Sequence, residues 1–173
     1  MKPVVLVTAI GTVTATAIVT ELKKTEEYYL IGADINPENQ IATSLDVDEY
    51  HVFPYASQES YLGFVLEFCR QHKVDYYYAV LDIEVVKISK ERDEFEKIGT
   101  KLCMANYEYC SICHFKNSFN EWIRENIPQI YIRTYQIFDE IKEFPVFVKP
   151  VEGVASTGCK PVHTMEALKE SVS

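Results

Sequence analysis

The sequence lacks any apolar run close to the roughly 18 residues that a membrane-spanning helix requires. The apolar segment at residues 4–7 is too short for the core of a signal peptide, and no small-residue cleavage site follows it. Repeats and low-complexity tracts are missing, and only six Gly and seven Pro occur in 173 residues. These absences predict a globular, cytoplasmic protein with no membrane partner.

Positive charge is also scarce. The 17 Lys and Arg residues face 26 Asp and Glu residues, so the net charge is −9 and the isoelectric point is near 5.0. Because no basic stripe offsets this balance, we expect no general affinity for nucleic acid or for an anionic membrane surface. The expected ligands are small molecules.

Apolar runs alternate with helical patterns as far as residue 105. The runs at residues 3–8, 28–34, 51–53, 74–81 and 101–105 predict five strands, and the segments between them predict helices. Alternation of this kind is typical of an α/β fold with an open, parallel, doubly wound sheet. We therefore assign residues 1–105 to a Rossmann-like domain.

Local signals refine the helices of this domain. Thr12 or Thr14 is expected to cap the first helix, and Ser57 is expected to cap the helix after the third strand. That later helix should turn four residues inward: Tyr61, Phe64, Val65 and Phe68. Residues 84–98 predict one charged helix that Gly99 ends.

The pattern changes after Asn106. Residues 107–113 predict a helical turn, and residues 116–126 predict an amphipathic helix with Phe119, Trp122 and Ile123 inward. A short helix at 139–144, a strand at 146–148 and a helix at 165–172 are expected to follow. We assign residues 106–173 to linker helices and part of a second domain.

Residues 144–158 combine a short strand, a lysine and a small-residue loop. Strand alternation places Phe147 and Lys149 on one face, and Pro150 holds the lysine in an extended conformation. The loop that follows can bend its backbone and offer N–H groups to an anion, which suits a polyphosphate. Its candidate contacts are Gly153, Ser156, Thr157 and Gly158. The alternative is an ordinary hairpin with a solvated lysine.

This order of features resembles the ATP-grasp superfamily, and within it the carbamoyl-phosphate synthase large subunit and related carboxylate–amine ligases. The resemblance covers essentially the whole chain, from a pre-ATP-grasp domain into part of the α+β ATP-grasp subdomain. Members commonly show an Asp-Lys pair before a helix, a Pro-Val-x-Val-Lys-Pro strand and a small-residue loop over the ATP phosphates. These features fall on Lys116, Lys149 and residues 153–158, with Phe115 in place of the usual Asp.

The resemblance implies ATP and magnesium as cofactors. Lys116 and Lys149 would neutralise phosphate charge, and the loop would donate N–H and hydroxyl groups to the phosphates. Asp82 and Glu84 resemble an acidic pair near the substrate end of the sheet in several relatives. The alternative for this pair is a helix cap followed by a first-turn acid that the helix dipole favours.

The second ATP-grasp subdomain, which would contact adenine and hold magnesium, has no counterpart in the sequence. We therefore expect the N-terminal portion of an ATP-dependent carboxylate–amine ligase that is incomplete on its own. It would contribute no magnesium ligands, and its candidate partners are a second copy of the chain or a complementary ATP-grasp half. The substrate would be a small carboxylate or amine.

Three alternatives stay open. Residues 110–114 match the Cys-x-x-Cys-His pattern of haem attachment or of a metal site. A Rossmann-like nucleotide-binding module without chemistry would use Gly11 and Asp34, although the rest of the glycine fingerprint is missing. A non-catalytic subunit would present the tyrosines at 76–78 to a partner.

Overall fold

The computed structural model describes residues 2–135, 141–151 and 156–172. The chain divides into two compact units, which we call unit 1 (Met1–Cys110) and unit 2 (Ser111–Ser173). Within the described ranges, no helix has both the length and the apolar character needed to cross a bilayer.

Unit 1 is built on a five-stranded parallel sheet. Its strands are β1 (Val4–Thr8), β2 (Tyr29–Asp34), β3 (Glu49–Val52), β4 (Tyr76–Tyr78) and β5 (Lys101–Leu102), in the order β3-β2-β1-β4-β5. The central strand β1 pairs Thr8 with Ala33 of β2 and Val7 with Tyr78 of β4. The predicted doubly wound α/β sheet is confirmed, and the strand order reverses direction at β1.

The helices of unit 1 are α1 (Val13–Thr25), α2 (Tyr61–Gln71), α3 (Asp82–Lys90) and α4 (Arg92–Lys97), with short 3₁₀ turns at Glu38–Gln40 and Ala42–Asp46. Thr12 caps α1 as predicted, because its hydroxyl accepts from the Ala15 N–H at 3.3 Å. The predicted cap at Ser57 is wrong. Two consecutive turns, closed by the N–H groups of Gln58 and Tyr61, come before the helix. The residue that directly precedes α2 is therefore Ser60.

The single helix predicted over residues 84–98 is also wrong. It breaks at Glu91, whose N–H bonds to the Ile88 carbonyl oxygen while its own carbonyl oxygen accepts from the Glu94 N–H. Gly99 follows α4 with a φ of +86°, as expected for a residue that ends a helix in the left-handed region. The two strands nearest this break, β4 and β5, are shorter than predicted.

Both faces of the sheet are covered, as parallel strands require. Leu6, Ile31 and Tyr77 pack on one face in the cluster that holds α2 and α4 side chains, whereas Val5 and Val7 pack on the other face with residues of α1. Of the α2 positions predicted to point inward, Tyr61, Val65 and Phe68 are buried, but Phe64 is 40% exposed. The Phe64 ring lies at the rim of the core, edge-on to Phe53 at 5.0 Å.

Unit 2 contains a small antiparallel hairpin and helices. Helix α5 (Tyr107–His114) begins in unit 1 and ends in unit 2. It is followed by α6 (Lys116–Asn126), a 3₁₀ turn (Pro128–Ile130), β6 (Val146–Val148), β7 (Lys160–Val162) and α7 (Met165–Val172). The bounds of α6 and α7 match the prediction, but Phe119 is 42% exposed rather than inward. Residues 141–144 form a loop instead of the predicted helix, whose first two residues lie outside the described ranges.

Candidate functional site

A cleft of about 300 Å³ opens in unit 1 at the carboxyl ends of the central strands. Thr8 ends β1 and Asp34 ends β2, and both line the cleft together with Tyr61 and with Leu81 and Glu84 near the start of α3. Ligands of open α/β sheets bind outside the carboxyl ends of the strands, where the strand order reverses. The cleft has this position and a volume suited to a small molecule.

Glu84 forms the buried acidic wall of the cleft. It is 1% exposed, and the Thr8 hydroxyl donates to its Oε2 atom at 2.8 Å. The hydroxyls of Tyr61 and Tyr77 both donate to its Oε1 atom. Burial raises the pKa of the Glu84 carboxyl, and the three hydroxyl donors oppose that rise. The carboxyl group is therefore held in a fixed orientation by residues from β1, α2 and β4.

The structure separates the two acidic residues that the sequence pairs. Asp82 is exposed at the first position of α3 and is not part of the cleft lining, whereas Glu84 is buried within it. Leu81 occupies the capping position, so Asp82 is a first-turn acid and not a cap. A substrate contact by either residue stays a prediction.

Sequence reasoning missed the hydroxyl donors to Glu84. Thr8 and Glu84 are 76 residues apart, and Tyr61 and Tyr77 lie on two further elements. The one local signal was the position of Thr8 at the end of a buried apolar strand, where polar side chains of a parallel sheet meet.

Asp34 packs beneath the loop between β1 and α1. Its Oδ2 atom accepts from the Gly11 N–H at 2.9 Å, and its Oδ1 atom accepts from the backbone and side-chain N–H groups of Asn36 at 3.1 and 2.9 Å. A dinucleotide pyrophosphate would need the N–H groups of this loop. Because a carboxylate already occupies that position, the geometry disfavours the Rossmann-type nucleotide module.

Lys87 ties α3 to the loop before α2. Its Nζ atom donates to the carbonyl oxygens of Ala56 and Gln58 at 2.6 and 2.9 Å, and it lies 5.9 Å from the centre of the Tyr61 ring. Ala56 and Tyr61 both line the cleft. This lysine therefore holds one wall of the cleft in place.

Unit 2 brings the two candidate phosphate-binding lysines to the same end of β6. The Lys116 Nζ atom donates to the Val151 carbonyl oxygen at 3.3 Å, two residues beyond Lys149. Lys149 is exposed, as is Phe147, while Val146 and Val148 are half-buried. Strand alternation thus directs Lys149 away from the hairpin's packed face, as the sequence predicts.

The described end of the small-residue loop, residues 156–158, forms a turn close to Pro150. Ser156 has a φ of +57° and Gly158 a φ of +77°, and the Cys159 N–H closes the turn on the Ser156 carbonyl oxygen at 3.0 Å. A Cβ atom on Gly158 would lie 3.0 Å from Pro150 Cγ, next to Lys149. Ser156, Thr157 and Gly158 are exposed, and Gly153 lies outside the described residues. Phosphate contact by these residues stays a prediction.

The structure does not bring the ligating atoms of the Cys-x-x-Cys-His segment, residues 110–114, into one cluster. The Cys110 thiol is buried and donates to the Ala105 carbonyl oxygen at 3.3 Å, whereas Cys113 is exposed. Within residues 2–135, 141–151 and 156–172, no group of clustered metal-ligating atoms includes Cys110, Cys113 or His114.

A family profile described as "PylC-like, N-terminal domain" matches residues 5–103, more than half of the chain. A search of curated protein sequences found no match. Among solved structures, an L-amino acid ligase from Bacillus licheniformis is 13% identical with a TM-score of 0.66, covering 99% of this chain and 41% of the ligase.

Two further structures have the same fold. The N5-carboxyaminoimidazole synthetase of Staphylococcus aureus, complexed with ADP, is 11% identical with a TM-score of 0.65, over 98% of this chain and 44% of the synthetase. The biotin carboxylase domain of the Hydrogenobacter thermophilus 2-oxoglutarate carboxylase, in complex with MgADP, ADP and bicarbonate, is 13% identical with a TM-score of 0.64. That match covers 98% of this chain and 39% of the carboxylase chain.

The chain spans less than half the length of these structures. The resemblance to the ATP-grasp superfamily that the sequence predicts is confirmed at the level of family and fold. The finer resemblance to carbamoyl-phosphate synthase stays a prediction.

Proposed function

This chain belongs to the family of PylC-like N-terminal domains, and from that membership we propose that it forms the N-terminal part of an ATP-dependent ligase. The ligase would join a small carboxylate to an amine, as carbamoyl-phosphate synthase-like and related carboxylate–amine ligases do. Residues 1–105 would form the pre-ATP-grasp domain, and residues 106–173 would begin the ATP-grasp domain.

The observation that carries this proposal is the hydrogen bond between Lys116 and the carbonyl oxygen of Val151. It joins the start of α6 to the segment that follows Lys149, although the two lysines are far apart in the sequence. Two cations and a turn with left-handed residues at 156 and 158 therefore lie in one small unit. Lysine side chains and backbone N–H groups stabilise phosphate oxygens.

ATP, when bound, would supply the phosphoryl group that activates the substrate carboxylate for attack by the amine. This chain's own contribution would be to bind and orient the phosphates through Lys116, Lys149 and residues 153–158. Magnesium would be held elsewhere in the complete enzyme. The solved relatives bound to ADP and MgADP support this choice of cofactors.

The cleft of unit 1 would hold part of the substrate. Its Glu84 carboxyl accepts one hydrogen bond at Oε2 from Thr8 among the described residues, so this atom retains capacity to accept from a ligand N–H. An amine is the matching group. Asp82, exposed two residues earlier on the same helix, would act on the substrate only from outside the cleft.

The test is ATP-dependent turnover by the complete protein that contains this chain, measured as ADP released with a panel of small carboxylates and amines. We expect Lys149→Ala to lower kcat/KM for ATP by about 100-fold, the scale of losing one well-placed charge-stabilising donor. Lys169→Ala, an exposed lysine of α7, is the matched control and should change little. Retention of ATP use by Lys149→Ala would contradict the assignment.

A second measurement addresses whether the chain needs the rest of a ligase. We expect the 173-residue chain alone to bind ATP weakly and to show no ligase turnover, because lysines without magnesium carboxylates leave the phosphates incompletely stabilised. Calorimetry with ATP and NAD, together with mass measurement in solution, would check this. Tight ATP binding by a homo-oligomer would instead show that copies of the chain complete the site, and tight NAD binding would favour the Rossmann-type module.

A further inference from the structure

Glu49, His51 and His72 form a cluster of ligating atoms in unit 1 that the proposed ligase function does not use. The His51 Nε2 atom lies 2.6 Å from Glu49 Oε1, and the His72 Nδ1 atom lies 3.5 Å from the same oxygen. One ligating atom from each of the three residues lies within 4.8 Å of the other two. The side chains are 26–33% exposed, so water and ions can reach them.

The fold holds these three side chains in position. Glu49 and His51 are two residues apart on β3 and therefore point to the same face of the sheet, towards α2. His72 follows the last residue of α2, and its ring stacks on Phe68 with the centroids 4.0 Å apart. The same Phe68 ring contacts His51 edge-on at 4.8 Å. One buried aromatic residue thus orients both imidazoles.

The chemistry of the set is specific. Two imidazole nitrogens and one carboxylate oxygen are the ligands of three-coordinate protein sites for zinc, with a fourth position left for water or another ligand. With bonds of about 2.0 Å, tetrahedral ligand atoms are roughly 3.3 Å apart, so small rotations of these half-exposed side chains would bring them to that spacing. Magnesium and calcium prefer oxygen ligands alone and do not suit the set.

We propose that Glu49, His51 and His72 bind a zinc-class divalent transition-metal ion. The site is separate from the cleft, because Glu49 begins β3, whereas the cleft residues Phe53 and Pro54 follow its end. The strand order makes β3 an edge strand. A metal held by β3 and the end of α2 would therefore fasten the sheet edge to the helix that carries Tyr61, a donor to Glu84.

The test is zinc titration by calorimetry into the full chain, under reducing conditions, with the exposed thiol removed by Cys113→Ser. We expect one zinc ion per chain and a rise in melting temperature of about 5–10 °C at a 100-fold excess over Kd. Magnesium should produce neither effect. Because loss of even an outer partner of a metal ligand costs about 10- to 100-fold in affinity, His72→Gln should weaken zinc binding at least tenfold.

Matched variants keep the result interpretable. His163→Gln changes an exposed histidine of unit 2 and should leave zinc affinity unchanged. Glu49→Gln keeps the shape of the side chain, so a loss of zinc affinity without a loss of metal-free stability would support the carboxylate as a ligand. The proposal would be overturned if the parent chain bound no zinc. It would also be overturned if the parent, His72→Gln and Glu49→Gln bound zinc with equal affinity, and the three residues would then form only a histidine–glutamate hydrogen-bond cluster.

Discussion

Unit 1 buries its candidate acid in a packed core, whereas unit 2 exposes its candidate lysine on a small hairpin. Glu84 is 1% exposed, and the hydroxyls of three other elements hold it. Lys149 is exposed, and Val162 is the single buried apolar residue among the described residues of unit 2. Packing therefore builds the cleft of unit 1, while the phosphate-binding candidates of unit 2 depend mainly on strand alternation and turn geometry.

The sharpest test of this contrast replaces one phenylalanine in each unit. Phe95 is 0% exposed in the core of unit 1, whereas Phe147 is 65% exposed on β6. We expect Phe95→Ala to lower the free energy of unfolding by about 3–5 kcal/mol, since it opens a cavity beside Tyr77. Phe147→Ala should change it by less than about 0.5 kcal/mol. Urea denaturation followed by circular dichroism would measure both, and equal costs would break the comparison.

A pair of glycines tests how tightly the cleft of unit 1 is packed. A Cβ atom on Gly11 would lie 2.8 Å from Ile41 Cδ1 and 3.1 Å from Asp34 Oδ2, so we expect Gly11→Ala to cost about 1–3 kcal/mol. Gly63 has nothing within 4 Å of such an atom and lies in α2. Gly63→Ala should therefore stabilise the chain by about 0.5–1 kcal/mol. The same denaturation experiment would measure the loss of stability in Gly11→Ala and the gain in Gly63→Ala. An unchanged free energy of unfolding in Gly11→Ala would argue against the close approach of Asp34.

The parts of the fold that could be predicted are those with a local signal. Buried parallel strands read as continuous apolar runs, so the sheet of unit 1 was predictable. Helix α6 ends where Ile127-Pro128 stops it. The break at Glu91 has no such signal. There Arg92 donates to the carbonyl oxygens of Leu102, Met104 and Ala105, and this tertiary contact outweighs the continuous helical pattern.

The candidate site residues also differ in whether a local sequence signal could predict them. Lys149 and its loop form one motif of consecutive residues, so a local pattern predicted them and the structure places Lys116 beside that segment. The donors to Glu84 come from three separate elements, and no spacing along the chain links them. Glu49 and His51 are near neighbours, but only the path of α2 brings His72 to them.

The titration of Glu84 makes the stability of unit 1 depend on pH. Burial raises its pKa above the ordinary value of 4.5, so the folded chain holds this proton at pH values where the unfolded chain has released it. This contribution to the free energy of unfolding is present below pH 4.5 and is lost as the pH rises through the folded-state pKa. Glu84→Gln keeps the shape without the titration. Its stability relative to the parent should therefore improve as the pH rises from acid to neutral.

Denaturation of the parent and Glu84→Gln at a series of pH values would measure this difference. Tyr61→Phe provides the second arm, because the Tyr61 hydroxyl bond lowers the pKa of Glu84. Without that bond, the fall in stability should extend to higher pH than in the parent. A constant difference between the parent and Glu84→Gln at every pH would show that the carboxyl is not penalised by burial.

The smallest expected effect is the stability change on replacing Lys149. Because its side chain is exposed at the end of β6, Lys149→Ala should change the free energy of unfolding by less than about 0.5 kcal/mol. Lys87→Ala is the contrasting variant in unit 1. It removes hydrogen bonds from a charged group to the Ala56 and Gln58 carbonyl oxygens and should cost about 1.5–3 kcal/mol. Thermal denaturation of the two variants would compare them directly. A large loss for Lys149→Ala would mean that the lysine supports the fold of unit 2, and any loss of ATP use by that variant could then not be assigned to phosphate binding.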